Sequence, residues 1–523
     1  MSDIDLDSHI DSATKALLAR QHADGHFQFE LEADATVPAE YVLFRHYLGE
    51  PVDAALEASI AGYLRRIQGP HGGWALFADG AFDMSATVKA YFALKMIGDS
   101  PQAEHMRRAR EAVRLRGGAE RSNVFTRCLL ALYGIISWRA VPVMPVEIML
   151  LPTWFPFHLD KVSYWSRTVI VPLLVLMAKK PRARNPKEVG VAELFLEPPR
   201  QLGPTPKAPQ QKASWFWFFR VVDNALRAAE PWFPKKLRQR AIDRAVAWVD
   251  ERLNGEDGLG AILPAMANSV MMYDALGVPA EDSRRAIARK SIDKLLAVHD
   301  DETYCQPCVS PIWDTALACH ALLEVGGERA VAEAKRALDW LIPKQVLDLR
   351  GDWISQRPNV RPGGWAFQYA NPYYPDVDDT AAVALLLDRF DRERYRPAIE
   401  RAAEWILGMQ SRNGGWGETG DSYWPSAPRG TAPYSTPSQT AWALLGLMAA
   451  GEVGHPAVAR GIAHLVATQQ ADGRWHEPWY TAVGFPRVFY LRYHGYPLYF
   501  PLWALARYRR LREGGEKTVS FGL

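Results

Sequence analysis

The stretch QGPHGGW, Gln68 to Trp74, recurs along the chain with a fixed distance between its glutamine and its aromatic residue. QSRNGGW runs from Gln410 to Trp416, QQADGRW runs from Gln469 to Trp475, and QHADGHF ends on Phe27 in place of a tryptophan. A glycine-containing turn of constant length separates the two residues in every copy. Self-similarity of this kind is typical of repeat architectures.

Helical patterns flank these turns. Apolar residues recur at spacings of three and four in PAIERAAEWILGM before Gln410, in HPAVARGIAHLVAT before Gln469 and in SATVKAYFALKMIG from Ser85. Because strand-like alternation is scarce, we predict an all-α protein of helical hairpins arranged in closed toroids. We expect each glutamine amide to bind backbone at a helix end and each indole to pack over it, so these residues stabilise the fold.

The composition excludes several classes of protein. Lys and Arg total 61 against 59 Asp and Glu, so the chain lacks the basic excess of a nucleic-acid binder and we expect no nucleic-acid partner. The four cysteines are too few for a disulfide framework in 523 residues, and the start MSDIDLD is not a signal peptide. These features predict a cytoplasmic, reduced protein.

One aliphatic stretch raises the question of a membrane. TVIVPLLVLMA, Thr168 to Ala178, has eleven residues, whereas a spanning helix needs about 20. Five basic residues follow between Lys179 and Lys187, and the apolar segment VPVMPVEIMLLPTWFPF begins before it at Val141. Two interpretations remain open: a buried helix beside a solvated basic loop, or a segment that lies on a lipid surface.

The stretch PDVDDTAAVALLL, Pro375 to Leu387, places three aspartates in four positions before an apolar run. Pro375 disfavours helix at the residue before it, so a helix is expected to begin at the aspartates, which suit the positive end of its dipole. One acid would suffice as a cap. Three acids repel each other, which favours a proton on one of them, and a protonated aspartate is a general acid. Capping and catalysis therefore both remain open.

A resemblance to the squalene-hopene cyclases, a triterpene branch of the class II terpene cyclases, extends over nearly the whole chain. It is carried by the repeats and by SPIWDTA from Ser310, GGWAFQYANPYYPDVDDTA from Gly363, STPSQTAWALL from Ser435 and EPWYTAVGFPRVFYLRY from Glu477. The resemblance implies a double α/α barrel. In this chain, residues 1–20 and 300–523 would form the barrel that carries DVDD, and residues 21–299 the second barrel, with a membrane-associating segment around residues 141–187.

The resemblance also implies the reaction, in which squalene or a similar polyprene is protonated at a terminal double bond and cyclised to hopene or hopanol. No cofactor takes part. The protein would lie on the cytoplasmic face of the membrane as a peripheral or monotopic protein, and the resemblance allows a homodimer. Asp378 matches the acid, with Asp376 and Asp379 supporting it. Seven residues match aromatic positions of the family that stabilise the cations or lie near the end of the cavity where protonation begins. They are Trp165, Trp313, Phe367, Phe485, Phe489, Tyr493 and Tyr496.

The chain departs from the family after Gly417. The text before this glycine matches an earlier repeat turn and the text after it matches a later one, which predicts an in-frame deletion of about two helical hairpins. The barrel that carries DVDD would then be incomplete, and the family's histidine that tunes the acid would be missing, with no replacement among the thirteen histidines. Leu263 also occupies a position where the family often has a glutamine associated with the placement of water. The choice of product between hopene and hopanol therefore stays open.

Four other functions compete with this one on the same residues. The chain could cyclise another polyprene, since DVDD fixes initiation and not chain length, or it could be a catalytically silent scaffold on the membrane, because the deletion impairs the site. CQPC, Cys305 to Cys308, suggests a zinc prenyltransferase, but two cysteines without a second pair are weak evidence for zinc. Acids adjacent on one helical turn cannot flank a glycosidic bond as a glycosidase requires.

Overall fold

The computed structural model describes residues 5–161, 164–204, 207, 213–351, 354, 358–375, 377–409, 437–438, 440–441, 444, 453–454, 456–477, 482–485 and 489–514. Helices dominate this part of the chain, which confirms the all-α class, and no closed barrel is seen in it. The helices are α1 Leu6–Leu18, α2 Thr36–Leu48, α3 Ala54–Arg66, α4 Met84–Ile97, α5 Glu104–Leu115, α6 Val124–Leu132, α7 Tyr164–Lys179, α8 Ala213–Ala229, α9 Lys235–Glu251, α10 Leu263–Ala275, α11 Ser283–Asp293, α12 Pro311–Val325, α13 Gly327–Leu341, α14 Val377–Met409, α15 Pro456–Thr468 and α16 Tyr496–Gly514.

Five short strands accompany the helices. They are β1 Leu31–Glu32, β2 Leu296–Val298, β3 Thr303–Cys305, β4 Ala482–Phe485 and β5 Phe489–Tyr493. Strands β1, β5 and β4 form one sheet in that order, with Leu31 opposite Tyr493, and β2 pairs with β3 in an antiparallel hairpin.

The chain divides into two compact units. The first comprises Met1–Glu32, Val309–Pro486 and Leu491–Leu523, and the second comprises Ala33–Cys308 and Arg487–Tyr490. Residues 21–32 therefore belong with the DVDD-bearing unit and residues 300–308 with the other. The backbone explains the first difference, because Phe27 N–H donates to Thr315 Oγ1 and Phe29 N–H donates to Asp314 Oδ2, both at 2.9 Å.

In the first unit, α12 is the central helix. It packs against α13, α14 and α16, and α1 packs against α16. Its helical run SPIWDTALACHALLEV is apolar on nearly all sides, as expected of a helix surrounded by others. Glu324 near its end is buried and pairs with Arg389 of α14 and Arg507 of α16. One carboxylate thus joins three helices.

In the second unit, α10 packs against α7 and α11, and α2 packs against α4. The aliphatic stretch Thr168 to Ala178 forms most of α7, and Val171, Leu174 and Val175 have at most 1% of their surface exposed. These side chains of α7 therefore belong to the core of the second unit. No helix in the described residues is long and apolar enough to cross a bilayer.

The repeated glutamines act as expected. Gln68 Nε2 donates to the carbonyl oxygens of Gly72, in its own turn, at 2.7 Å and of His105, in α5, at 2.8 Å. The Trp74 indole donates to Leu64 O at 2.8 Å, at the end of the preceding helix. The amides of Gln21, Gln345 and Gln469 do the same. Each donates one hydrogen bond to a carbonyl oxygen of a glycine in its turn and a second to a backbone carbonyl oxygen of a distant residue. The copy at residues 410–416 lies outside the described residues.

Candidate active site

The aspartate motif begins α14, as predicted. The helix starts at Val377, so Asp378 and Asp379 occupy its first turn, and Asp379 has 1% of its surface exposed. Asp376 and the side chain of Asp378 lie outside the described residues. Carboxylates at this position face the positive end of the helix dipole and its free backbone N–H groups, which stabilise an anion.

A hairpin turn holds the start of α14 in place. Trp365 N–H donates to Thr380 Oγ1 at 2.9 Å, and the Trp365 indole donates to Leu341 O at 2.9 Å. A side chain at Gly364 would place its Cβ 2.7 Å from Thr380 Oγ1 and 2.9 Å from the Cβ of Pro375. Only glycine allows this approach, so the GGW turn packs directly against the two residues, Pro375 and Thr380, that flank the aspartates.

Three of the predicted aromatic residues come together in the first unit. The rings of Phe367 and Tyr493 meet edge to face with centroids 6.3 Å apart, and Tyr493 stacks on Tyr496 at 4.5 Å. Tyr496 also contacts Phe500 edge to face at 5.1 Å. Ring faces of this kind can stabilise a nearby cation through their quadrupoles.

The other predicted aromatic residues lie on α12, α7, β4 and β5. Trp313 lies in the first turn of α12 and is half-buried. Trp165 belongs to the second unit, where it meets Tyr164 edge to face at 5.6 Å. Phe485 ends β4 and Phe489 begins β5, but their side chains lie outside the described residues.

Asp314 is a candidate site residue that was not predicted from the sequence. Its carboxyl is fully buried and its Oδ2 accepts hydrogen bonds from Phe29 N–H and from the Ser310 hydroxyl, both at 2.9 Å. Burial raises the pKa of Asp314 to about 8, although both hydrogen bonds lower it. The signal was present in SPIWDTA, where this aspartate directly follows Trp313.

One histidine reaches the helix that carries the aspartates. His320 is buried, stacks on Trp503 at 5.1 Å and lies 3.1 Å from Ala382 O of α14 through its Nε2. Burial lowers the pKa of His320 to about 3, so the ring is neutral and its Nε2–H donates to that carbonyl. His320 therefore supports the backbone of α14 and is not assigned to tuning the acid.

The CQPC cysteines show no metal-binding arrangement. Cys305 and Cys308 are buried, and burial raises the pKa of the Cys305 thiol, which disfavours the thiolate that zinc requires. Nowhere in the described ranges do three or more potential metal-binding side chains cluster.

Two family models match the chain in order. The squalene-hopene cyclase N-terminal domain matches residues 10–301, and the C-terminal domain matches residues 309–417 and again residues 412–510. The second domain is thus met in two stretches that join where the sequence predicts the deletion.

Similar proteins span almost the whole chain. A squalene–hopene cyclase of Bradyrhizobium diazoefficiens is 52% identical, with 99% of this chain and 97% of the relative covered. Those of Zymomonas mobilis and Schizosaccharomyces japonicus are 47% and 40% identical, with 99% of this chain covered and 98% and 97% of the relatives.

The alignments also agree with the predicted deletion. The alignment with the Bradyrhizobium protein has 645 positions, whereas this chain has 523 residues, so at least 122 positions have no residue here. Because both domain models match and relatives of this identity run from one end to the other, the chain belongs to the squalene-hopene cyclase family.

Proposed function

We propose that this protein is a terpene cyclase that converts squalene to hopene or hopanol. The observation that carries the proposal is the agreement between relatives named squalene–hopene cyclase, 47–52% identical over nearly the full chain, and an aspartate motif at the start of α14, whose first turns are buried. The product hopene is an isomer of squalene, so one proton enters at the initiating double bond and one leaves at the end.

In the proposed mechanism, Asp378 gives its proton to the terminal double bond and Asp376 and Asp379 hold it in position. The new C–H bond leaves a carbocation on the polyprene and a carboxylate on Asp378, which the free N–H groups of the first turn of α14 stabilise. Ring formation moves the cation along the chain. The matching aromatic residues, among them Phe367, Tyr493 and Tyr496, offer π faces to the successive cations. Loss of a proton gives hopene, and addition of water gives hopanol.

Asp378→Asn tests the acid. An amide cannot supply the proton, so we expect product from squalene in detergent to fall at least about 100-fold, the lower range for loss of a general acid. Asp388→Asn is the matched control, because Asp388 lies on the same helix and pairs at its surface with Arg392 at 3.1 Å. Full cyclisation by a folded Asp378→Asn protein would rule out the acid assignment.

The same assay separates the alternatives left open by the sequence. Feeding squalene and shorter polyprenes in parallel identifies the preferred chain length by its products. A folded wild-type protein that turns over none of them would favour the catalytically silent scaffold. The observation that supports this alternative is the set of alignment positions that have no residue in this chain.

We also propose that the second unit rests on a membrane surface. The support is a set of exposed aromatic side chains in residues 154–157 and in α8, where Trp215 and Trp217 have 57% and 63% of their surface exposed. The rings form a continuous group, since Phe157 meets Phe219 at 6.1 Å and Trp215 stacks on Phe219 at 5.8 Å. Of the predicted segment around residues 141–187, Trp154 and Phe157 belong to this group, whereas α8 lies beyond it.

Vesicle binding tests this placement. Trp215→Gln combined with Trp217→Gln removes apolar area from α8, so we expect binding to phosphatidylcholine vesicles to weaken by about tenfold or more. Leu115→Gln combined with Phe125→Gln is the control, because both side chains are exposed apolar residues outside this group. Equal losses in the two double variants would contradict a specific membrane face.

A further inference from the structure

A large cavity in the second unit has no role in the proposed cyclisation. It has a volume of about 1090 Å³ and lies between the segment 131–146, the end of α7, the residues just after it and the last turn of α8. This volume is at the upper end of the range for small-molecule sites. One wall is apolar and is formed by Val141, Pro142, Val143 and Met144.

The charged side chains around this cavity are almost all basic. Six cations line it against the single acid Glu230: Arg139, Lys180, Arg182, Arg200, Arg227 and Arg238. Three of the cations are neutralised, each at 2.9 Å, in the pairs Lys180–Glu230, Arg227–Asp223 and Arg238–Glu147.

The other three cations leave an excess of positive charge. Arg139, Arg182 and Arg200 are exposed and have no acidic partner within the described part of the chain. Guanidinium groups bind phosphate oxygens through paired hydrogen bonds, and three of them exceed what one zwitterionic group would neutralise. The cavity therefore suits a phosphate-containing group of net negative charge.

Helix α8 connects this cavity to the exposed aromatic side chains. Trp217, Val221, Asn224 and Ala228 follow each other at intervals of four, three and four residues and so lie on one face of the helix. All four side chains are exposed, and Asn224 and Ala228 also line the cavity. The stripe is about 16 Å long at the rise of an α-helix. An exposed stripe that begins with two apolar side chains thus ends at the basic cavity.

We propose that this cavity binds the phosphate head group of an anionic phospholipid whose acyl chains lie along the exposed face of α8. The arrangement matches an amphipathic ligand, because the stripe runs from the exposed Trp217 and Val221 to Asn224 and Ala228 at the basic cavity. This inference rests on the membrane placement proposed above and adds a lipid preference to it.

The test compares binding to phosphatidylcholine vesicles with and without phosphatidylglycerol. Wild-type protein binds the anionic vesicles at least about tenfold more tightly, since each basic residue near an anionic surface adds to the attraction. The triple variant Arg139→Gln, Arg182→Gln, Arg200→Gln loses this preference and keeps its binding to phosphatidylcholine. Replacing the same three residues with lysine retains the charge and retains most of the preference.

A second triple variant controls for general charge. Arg20→Gln, Arg121→Gln and Arg329→Gln remove three exposed arginines that are outside the cavity and have no acidic partner in the described residues. This protein keeps the preference for anionic vesicles. The melting temperature of each triple variant is measured to verify that it folds.

Four outcomes overturn the proposal. Equal losses in the two triple variants with glutamine would mean that overall charge, and not the cavity, attracts the lipid. Equal wild-type binding to both vesicles would refute the head-group site and leave the membrane placement intact, whereas no binding to either would refute both. Saturation by inorganic phosphate in calorimetry, without any vesicle preference, would assign the cavity to a soluble phosphate.

Discussion

Asp314 shows how a single buried carboxyl can make the stability of the protein depend on pH. Its pKa is raised to about 8 from 3.8 in the folded chain, so the folded state holds this proton more tightly than the unfolded state. The contribution to the free energy of unfolding is therefore largest at low pH. It falls as the pH rises towards 8, by at most about 1.4 kcal/mol per pH unit.

We expect Asp314→Asn to remove this slope. The amide oxygen can still accept from Phe29 N–H and the side chain no longer titrates. The free energy of unfolding of the two proteins, measured with urea between about pH 5 and 8, should differ in favour of the variant as the pH rises. Asp34, whose pKa is raised to about 7 by burial, titrates in both proteins and cancels in the difference. Parallel profiles would show that Asp314 is ionised in the folded protein.

At the scale of elements, the carboxylate of Glu324 joins three helices of the first unit. It accepts from Arg389 of α14 and lies 2.8 Å from Arg507 Nε of α16, and all three side chains are buried. Removing one partner from a buried ion pair leaves charge uncompensated, which costs about 3–5 kcal/mol. The three helices include the one that carries the aspartate motif.

Glu324→Gln should accordingly lower the free energy of unfolding by about 3–5 kcal/mol, because two buried guanidinium groups lose their counterion. Glu328→Gln, an exposed residue at the start of α13, should change it by less than about 0.5 kcal/mol. Chemical denaturation measures both. A loss at Glu324 no larger than the loss at Glu328 would mean that water already compensates these arginines.

The elements also show what sequence reasoning can reach. The bond from Gln68 to its own turn was predictable because Gln68 and Gly72 are four residues apart and the turn has a constant length. The equivalent hairpin at Gln345 was missed, since its turn glycine, Gly363, comes eighteen residues later. The start of α14 was predicted from Pro375 and the aspartates, which act locally.

Contacts between distant residues set the limit of that reasoning. Asp314 accepts its hydrogen bond from the backbone of Phe29, which lies 285 residues away, and no local sequence pattern predicts that contact. Helices α7 and α8 are both rich in hydrophobic residues. The side chains of α7 are nevertheless buried in the core, whereas the aromatic side chains of α8 are exposed. Hydrophobicity alone cannot tell which of two apolar helices the rest of the fold will cover.

At the scale of the whole molecule, the open question is the effect of the missing segment. Helical hairpins in a repeat fold bury their apolar faces against their neighbours, so the loss of two hairpins exposes faces that were covered. A carbocation also needs a site from which water is excluded. The protein should therefore be less stable and less active than its full-length relatives.

Restoring the segment tests this expectation directly. We insert the Bradyrhizobium relative's residues for the missing positions after Gly417 and expect a higher melting temperature and at least about tenfold more product from squalene, because the supplied hairpins cover apolar faces and exclude water. The same insertion with Asp378→Asn is the control. It should regain the melting temperature and make no product, which separates closure of the fold from chemistry. Equal turnover by the present and the restored chains would mean that the shortened unit already encloses a working site.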